Sequence, residues 1–369
     1  MVATPLGYIR QFDGIRAVAV VLVILSHWFP NGIAGKFGFG SFGVDIFFVL
    51  SGFLITRILI VERLKYEFEP SSNFRLKAIR NFIARRSLRI FPIYYLLLFM
   101  LVIFNKQFPN PVAQDWKWYF FYLQNILFYI HQELPGGKLS HLWSLAVEEQ
   151  FYLFWPWLIL FVPSKWLLKS IVISFFIGIA SLYCLPLFKG GTMAGLLTPS
   201  CMHAFASGGI LAYFQINKRS DFYHLNNYFL FPALFSFCYL ILGLIGVLTF
   251  VIDSRTLISV IIVGLLSNIL INPSSFFSSK ILGNPPLVFL GKISYGIYLF
   301  HNFIPIWINA LLHKLEKSDV NLTFLKYNKI LVDQSILFYV ISFSFLIFFT
   351  TSSFYIFEHP INKFKRYFN

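Results

Sequence analysis

The stretch FGVDIFFVLSGFLITRILIV, residues 42–61, decides the fold class of this protein. Asp45 and Arg57 are its only charged residues, and most of the others are large and apolar. Wound into a helix, about 20 residues rise ~30 Å, which is the thickness of the hydrocarbon core of a lipid bilayer. The stretch is therefore predicted to span a membrane, and Asp45 needs a partner or a cavity at that depth.

The whole chain has the same apolar character. Of its 369 residues, 57% are hydrophobic and only 12% are charged, and the mean hydropathy is +0.71. Soluble domains carry about 25% charged residues, so this composition excludes a water-soluble globular protein, a disordered tail and a nucleic-acid-binding module. The net charge of +15 is typical of basic loops beside membrane lipid. We expect lipid and no nucleic acid as a partner, and the three scattered cysteines indicate neither a disulfide framework nor a metal site.

Repeated apolar stretches predict an all-α, polytopic integral membrane protein. Ten membrane-spanning helices are predicted at about 13–29, 42–61, 87–104, 143–162, 169–188, 199–216, 228–250, 256–271, 286–312 and 334–358. The aromatic stretch 116–130 contains Gln124 and Asn125 and is predicted to be an interfacial helix. Because no internal repeat is visible, residues 1–369 are predicted to form a single membrane domain.

The distribution of basic residues predicts the orientation in the membrane. Ten spans place both termini on one side, and two thirds of the 30 Lys and Arg residues fall on that side. Cytoplasmic loops carry an excess of Lys and Arg. Both termini are therefore predicted to be cytoplasmic, in a multi-pass protein of the cell inner (plasma) membrane.

A few ionisable residues fall within the predicted spans, where a charge is expensive and normally faces a cavity, a partner or a substrate. His27 comes eleven positions after Arg16, which is close to three helical turns and a rise of ~16 Å. Both side chains therefore share one face of the first span. An isolated buried histidine is usually structural, but this alignment with an arginine favours a lined cavity. The residues singled out on this ground are Arg16, His27, Asp45, Glu148, Glu149, His301 and Glu358, because most of the other charges lie in loops or at the ends of spans, where a solvated side chain is the ordinary interpretation.

A dense basic group precedes the third span. Anchoring to anionic lipid accounts for Lys77 and Arg80, but it accounts poorly for Arg89, which lies beside Pro92 at the mouth of a span. Arg86 and Arg89 stand at positions i and i+3 and project from one helix face. Paired arginines bind phosphate through bidentate hydrogen bonds, so we expect a phosphorylated cytosolic ligand.

Two further sets of polar residues leave alternatives open. One of Glu148 and Glu149 is expected to face a cavity, where it would orient a histidine or accept a proton. The other is expected to make an interfacial or packing contact. Tyr295 and His301 share a broad helix face, for which acceptor binding and a polar contact between helices fit equally well. For Glu358, an ion pair with the basic C-terminal tail is the favoured interpretation.

These residues belong to motifs that follow one another in a fixed order along residues 8–365. The motifs are FDGIR (12–16) followed by His27, GVDIFFVLSGFLI (43–55), Arg86-x-x-Arg89-x-x-Pro92, WSLAVEEQFY (143–152), SYGIYLFH (294–301) and FEHP (357–360). Each motif alone is weak evidence, but the ordered set is specific. It resembles the acyltransferase-3 family of integral-membrane O-acyltransferases.

The resemblance implies an acyl donor, usually acetyl-CoA, bound from the cytoplasm. It also implies an acceptor hydroxyl on a sugar of a lipid-linked or surface glycan, such as lipopolysaccharide O-antigen or exopolysaccharide. On that pattern His27 is the catalytic base, and Asp45 and Glu148 are cavity carboxylates, one of which fixes its tautomer. Donor binding is expected from Arg16, Arg85, Arg86 and Arg89, and acceptor binding from Glu149, Tyr295 and His301.

The sequence leaves several questions of mechanism open. Direct transfer in a ternary complex and an acyl-histidine intermediate are both compatible with it. Because the chain ends eleven residues after Glu358, we expect no appended extracytoplasmic esterase-like domain of the kind that some relatives carry. The main alternative function is a proton-coupled transporter or flippase that uses Arg16, His27, Asp45 and Glu148 as an intramembrane pathway. The acyl group and the oligomeric state remain open.

Overall fold

The fold was analysed in a computed structural model that describes residues 7–68, 73–105, 110–135, 139–189, 191–218, 221–317 and 336–368. Within these ranges the chain is helical and contains no β-strand. The α-helices are α1 (Arg10–Trp28), α2 (Ile33–Lys36), α3 (Phe39–Phe68), α4 (Phe74–Ile103), α5 (Trp116–Phe120), α6 (Gln124–His131), α7 (Leu142–Phe161), α8 (Ser164–Lys189), α9 (Thr198–Asn217), α10 (Phe222–Leu244), α11 (Ser254–Ile271), α12 (Pro285–Lys292), α13 (Ser294–Phe300), α14 (Ile304–Lys317), α15 (Ile336–Ser353) and α16 (His359–Asn362).

Short helices of other types complete the described chain. Three 3₁₀ segments lie at Pro111–Ala113, Thr192–Leu196 and Lys363–Phe368. Two π-helical segments lie at Phe277–Leu282 and Phe354–Glu358.

The prediction of an all-α polytopic membrane protein is confirmed. Within the described ranges, seven helical segments are long and apolar enough to cross a membrane: α1, most of α3, α4, α8, α10, α11 and the segment that begins with α15. Helices α7 and α9 have 20 residues each but fall outside this group because they carry polar side chains. The count of ten spans stays a prediction.

Two segments predicted as single helices are broken. The predicted span 286–312 is wrong as a continuous helix, because the chain forms α12, α13 and α14 with breaks at Ile293 and at residues 301–303. The predicted interfacial helix 116–130 is likewise divided into α5 and α6, and Tyr122 between them has a φ of 54°. At each break the backbone turns, which redirects the side chains that follow.

Helices α1, α3, α7 and α9 pack tightly around one aromatic core. A Cβ atom on Gly52 of α3 would lie 2.0 Å from the Phe205 carbonyl oxygen of α9, and one on Gly208 would lie 2.1 Å from the Val49 carbonyl oxygen. The ring of Phe205 stacks on that of Phe151 at 4.0 Å. Close contact through glycines is characteristic of helix pairs in membranes, and here it fixes the position of the polar residues on α3 and α7.

Candidate active site

Five helices enclose a cavity that carries three arginines. It contains about 750 Å³ of space not filled by atoms, part of it open to the surroundings. Arg16 comes from α1, and Arg86 and Arg89 come from α4. The other lining residues are Val44, Phe47, Phe48, Ser51, Leu54, Ile90, Ser144, Leu145, Glu148, Tyr152, Ser294, Tyr295 and Tyr298.

The cavity has an excess of positive charge. Arg16 Nη1 contacts Asp13 Oδ1 at 2.5 Å. The Arg86 guanidinium lies over the rings of Phe82 and Tyr152, at 5.7 and 5.5 Å. Within the described part of the chain, neither Arg86 nor Arg89 has a carboxylate oxygen within 4 Å. Half-buried guanidinium groups with no carboxylate in direct contact attract an anion that presents several oxygen atoms.

Glu148 supplies a carboxylate to the same cavity. Its Oε1 atom accepts a hydrogen bond from Ser51 Oγ at 2.5 Å and another from the Tyr152 hydroxyl. These two contacts hold the carboxylate on the wall of the cavity. The expectation that one of the two adjacent glutamates faces a cavity therefore agrees with the position of Glu148, although its hydrogen-bond partners are hydroxyl groups and not a histidine.

Glu149 faces a second cavity on the other side of Arg86. This cavity contains about 620 Å³ of unfilled space, and Arg86 and Tyr152 line both cavities. Glu149 is only 8% exposed, and its Oε1 has no hydrogen-bond partner among the described residues. Tyr95 and Tyr122 lie in the same lining. Glu149 therefore stays a predicted substrate contact, in a cavity next to the arginine cavity.

The expectation that Asp45 faces the cavity is wrong. Asp45 is fully buried and is held by Arg255 of α11, whose Nε and Nη2 atoms donate to its two oxygens at 2.9 Å each. The same guanidinium donates from Nη1 to the Gly195 carbonyl oxygen at 2.8 Å. Asp45 therefore forms a structural ion pair with Arg255. Both of its oxygens are used in that pair, and neither is hydrogen-bonded to a histidine among the described residues.

Arg85 and Glu358 also make contacts other than the predicted ones. Arg85 does not line the arginine cavity, because its Nη1 atom donates to the Phe368 carbonyl oxygen at 2.7 Å and thereby holds the C-terminal 3₁₀ segment. Glu358 lies within the electrostatic reach of Arg89 and has Ser353 Oγ at 3.4 Å. None of the described ion pairs joins Glu358 to the basic tail.

Three histidines lie directly behind Tyr298, at one end of the cavity. The Tyr298 ring centroid is 5.6 Å from that of His141 and 5.7 Å from that of His301. The Tyr298 hydroxyl contacts Ser144 Oγ at 2.5 Å and donates to the His141 carbonyl oxygen at 3.0 Å. His27 completes the group from the end of α1. Tyr298 thus connects the arginine cavity to the histidines.

Specific hydrogen bonds connect the histidines to each other and to the backbone. His27 Nδ1 lies 2.8 Å from His301 Nε2, and His301 Nδ1 lies 2.7 Å from the Tyr298 carbonyl oxygen. His141 Nε2 lies 3.2 Å from the Leu299 carbonyl oxygen, and Asn302 Nδ2 lies 3.0 Å from His141 Nδ1. With the nitrogens engaged in this way, the three rings do not converge on a common point that a metal ion would need.

The three histidines differ in exposure. His301 and His141 are buried, at 0% and 1% exposed, whereas His27 is exposed on its other side. Sequence analysis missed His141 and Asn302 as members of this group. The only available signal was that His141 precedes Trp143, the first residue of a motif, by two positions.

The first span joins the two parts of the site. Arg16 lines the cavity, and His27 lies eleven residues further along the same continuous helix, ~16 Å away along its axis. Tyr298 lies between the cavity and the histidine rings, so Arg16 and His27 stand along one helix on either side of this side chain.

Comparison with known proteins gives the family. Residues 9–359 match the acyltransferase-3 family model, which is described as an acyltransferase domain. The chain is 32% identical over 326 residues to the peptidoglycan O-acetyltransferase OatA of Listeria monocytogenes, covering 80% of this chain and 49% of that protein. It is 30% identical over 339 residues to the O-acetyltransferase OatA of Staphylococcus aureus, covering 82% of this chain and 51% of that protein.

The chain spans about half the length of the curated relatives it matches. No solved structure matches it. The family model nevertheless covers almost the whole sequence, including all the motifs that contribute side chains to the cavity and to the histidine group. This chain therefore belongs to the acyltransferase-3 family of membrane proteins.

Proposed function

We propose that this protein is a membrane O-acetyltransferase that moves an acetyl group from acetyl-CoA to a sugar hydroxyl of a cell-surface or lipid-linked glycan. The observation that carries the proposal is the arginine cavity, which ends at Tyr298 with His27 behind it. The names of the relatives, O-acetyltransferases and in one case a peptidoglycan O-acetyltransferase, support the reaction and a carbohydrate acceptor. In this proposal the protein lies in the inner membrane, with both termini in the cytoplasm.

The arginine cavity is the proposed donor site. Arg86 and Arg89 would hold the phosphate groups of coenzyme A, and Arg16 would contribute a third positive charge. The pantetheine arm would follow α1 towards the histidines, with the Glu148 carboxylate as an acceptor for its amide N–H groups. Tyr295 lines the same cavity and donates its hydroxyl proton to the Ile90 carbonyl oxygen, so its ring is the part available to a substrate.

His27 is the proposed general base. Its Nε2 atom takes the proton from the sugar hydroxyl while the hydroxyl oxygen attacks the thioester carbonyl carbon. A new C–O bond forms, the C–S bond breaks, and the coenzyme A thiolate takes the proton back from the imidazolium. The products are the O-acetyl sugar and coenzyme A. This direct transfer needs no acyl-histidine intermediate.

The transporter alternative has less support from the geometry. It requires Arg16, His27, Asp45 and Glu148 to lie along one pathway, whereas Asp45 is paired with Arg255 away from the cavity.

The donor site is tested by calorimetric titration of the purified full chain with acetyl-CoA. The double variant Arg86→Ala with Arg89→Ala is expected to weaken binding by 100-fold or more, because each charge-assisted hydrogen bond contributes roughly 1.5–3 kcal/mol. Arg85→Ala is the matched control, since this neighbouring arginine lies outside the cavity lining. If the double variant and the control bind acetyl-CoA with equal affinity, Arg86 and Arg89 do not bind the donor, and anchoring to anionic lipid is the explanation left for them.

The base is tested by the release of coenzyme A from acetyl-CoA, with a soluble disaccharide fragment of peptidoglycan as the acceptor probe. His27→Ala is expected to reduce transfer by roughly 10²- to 10⁴-fold, the usual contribution of a general base, without a change in acetyl-CoA affinity. Transfer at the wild-type rate in this variant would exclude His27 as the base.

A further inference from the structure

We propose that His301 is the positioning residue that holds His27 in its basic tautomer, in the place that a carboxylate occupies in a Ser-His-Asp triad. The proposal rests on the proposed function and names the residue that prepares the base. It is carried by the chain of hydrogen bonds from the Tyr298 carbonyl through His301 to His27. Sequence analysis had given that place to Asp45 or Glu148.

The Tyr298 carbonyl fixes the tautomer of His301. A carbonyl oxygen only accepts hydrogen bonds, so the 2.7 Å contact requires a hydrogen on His301 Nδ1. In the neutral ring the lone pair is then on Nε2. Because His301 is fully buried, the neutral ring is the form that burial favours.

His301 in turn fixes the tautomer of His27. His301 Nε2 carries a lone pair, so the 2.8 Å contact requires His27 Nδ1 to be the donor. The lone pair of neutral His27 is therefore on Nε2, the nitrogen for which the described residues provide no hydrogen-bond partner. In this way the Tyr298 carbonyl, acting through His301, determines which nitrogen of the exposed His27 ring acts as the base.

The rings are held in this arrangement by further contacts. Trp28 Nε1 donates to the His301 carbonyl oxygen at 3.0 Å, which ties the end of α1 to the break after α13. The ring centroids of His27 and His301 are 5.0 Å apart and the ring planes are inclined by 24°, which fits a hydrogen bond between the ring edges. His141 does not compete for His27 Nδ1, because Leu299 and Asn302 engage both of its ring nitrogens.

This arrangement also accommodates the charge that forms during the reaction. When His27 Nε2 takes the hydroxyl proton, the imidazolium still donates from Nδ1 to His301 Nε2. The positive charge is then shared between two imidazole rings, and the Tyr298 carbonyl dipole stabilises the second one. The available carboxylates cannot do this, because Asp45 is bound to Arg255 and Glu148 is bound to Ser51 and Tyr152.

The test compares His301→Phe, which keeps a ring but removes the acceptor, with His301→Gln, whose amide oxygen can accept from His27. The matched control is His203→Phe. His203 is also fully buried, and its Nδ1 atom also contacts the carbonyl three residues earlier, at 2.8 Å from Ser200 O. Its Nε2 atom has no hydrogen-bond partner among the described residues, so His203→Phe controls for the loss of a buried imidazole and of its bond to a backbone carbonyl, at a histidine that is not one of the three in the group.

Two readouts are measured on the purified full chain, with His27→Ala alongside. The first is transfer from acetyl-CoA to the soluble peptidoglycan disaccharide. The second is the ¹⁵N NMR spectrum of histidine-labelled protein, in which the His27 signal is identified by its loss in His27→Ala and reports the tautomer directly. We expect an Nδ1–H tautomer in the wild type, a shift towards Nε2–H in His301→Phe, and a transfer rate lowered roughly 10²- to 10⁴-fold. His301→Gln is expected to recover most of both properties.

The outcomes separate this proposal from the proposed function. If His27→Ala abolishes transfer while His301→Phe stays within threefold of His203→Phe, the positioning role is wrong and the base stands. An unchanged His27 tautomer in His301→Phe also overturns it. If His27→Ala transfers at the wild-type rate, His27 is not the base, and the proposed function is refuted at that point together with the positioning role of His301. If His301→Phe does not fold, the spectrum and rate of His301→Gln decide: an Nε2–H tautomer at the wild-type rate contradicts the proposal.

Discussion

Replacing Asp45 by Ala should lower the free energy of unfolding and leave the transfer activity of the folded protein almost unchanged. The Asp45 carboxylate is fully buried and receives two hydrogen bonds of 2.9 Å from Arg255, which is itself only 13% exposed at the side chain. Removing one partner of such a pair leaves a buried charge without compensation and costs about 3–5 kcal/mol. This corresponds to a factor of roughly 10² to 10⁴ in the folding equilibrium.

A double variant separates the interaction energy of the Asp45–Arg255 pair from the effects of the two single substitutions. Arg255→Met alone should also destabilise, because Asp45 and the Gly195 carbonyl both lose their donor. Asp45→Ala combined with Arg255→Met should cost about 2–3 kcal/mol less than the sum of the two single variants, since no unpaired charge remains. The control is Glu62→Ala, which breaks the 2.8 Å pair with Lys65 at the surface of α3 and should cost less than about 1 kcal/mol.

Unfolding is followed by tryptophan fluorescence during titration with sodium dodecyl sulfate. Trp143 is a suitable reporter because the Arg255 guanidinium lies 5.8 Å from its ring. Transfer activity is expressed per folded molecule and should remain close to that of the wild type. The reasoning is refuted if Asp45→Ala unfolds within 1 kcal/mol of the wild type, or if the folded variant is inactive, which would return Asp45 to the catalytic residues.

Three further predictions follow from the packing and the polar contacts. Gly52→Ala should prevent folding, because its Cβ would lie 2.0 Å from the Phe205 carbonyl oxygen, whereas Gly7→Ala has no atom within 4 Å; size-exclusion chromatography in detergent compares the two. Glu149→Gln should raise the free energy of unfolding by about 1 kcal/mol, because a buried carboxylate without a partner for Oε1 is replaced by a neutral amide; a loss of stability in the dodecyl sulfate titration would mean that the carboxylate has a partner. Tyr298→Phe removes the hydroxyl contacts to Ser144 and His141 and should slow transfer at least tenfold with unchanged acetyl-CoA affinity; an equal loss in binding would contradict its place between donor site and base.

Several features of the site were predicted from the sequence because they depend on neighbouring residues. Helical periodicity places Arg16 and His27 on one face of α1, and the i, i+3 spacing places Arg86 and Arg89 on one face of α4. The structure directs all three arginines into one cavity. One of Glu148 and Glu149 was expected in a cavity and the other in an interfacial or packing contact, whereas in the structure each lines a cavity of its own.

Other features could not be predicted because they join residues far apart in the sequence. His27 and His301 are 274 positions apart, and Asp45 and Arg255 are 210 positions apart. Arg255 stood at the start of an apolar stretch, where a solvated side chain is the ordinary interpretation. The breaks in the predicted span 286–312, which turn His301 towards His27, depend on contacts such as that of Trp28 with the His301 carbonyl.

By itself, the sequence determined that this chain is a helical membrane protein and that its polar residues at membrane depth belong to one ordered family pattern. That information is local, because bilayer thickness and helical period act on each segment separately. Only the tertiary structure decided which polar groups satisfy each other: Asp45 with Arg255, and His27 with His301. The physical reason is that a buried donor or acceptor takes whichever partner the packing of distant helices brings within about 3 Å, and the spacing along one segment does not contain that choice.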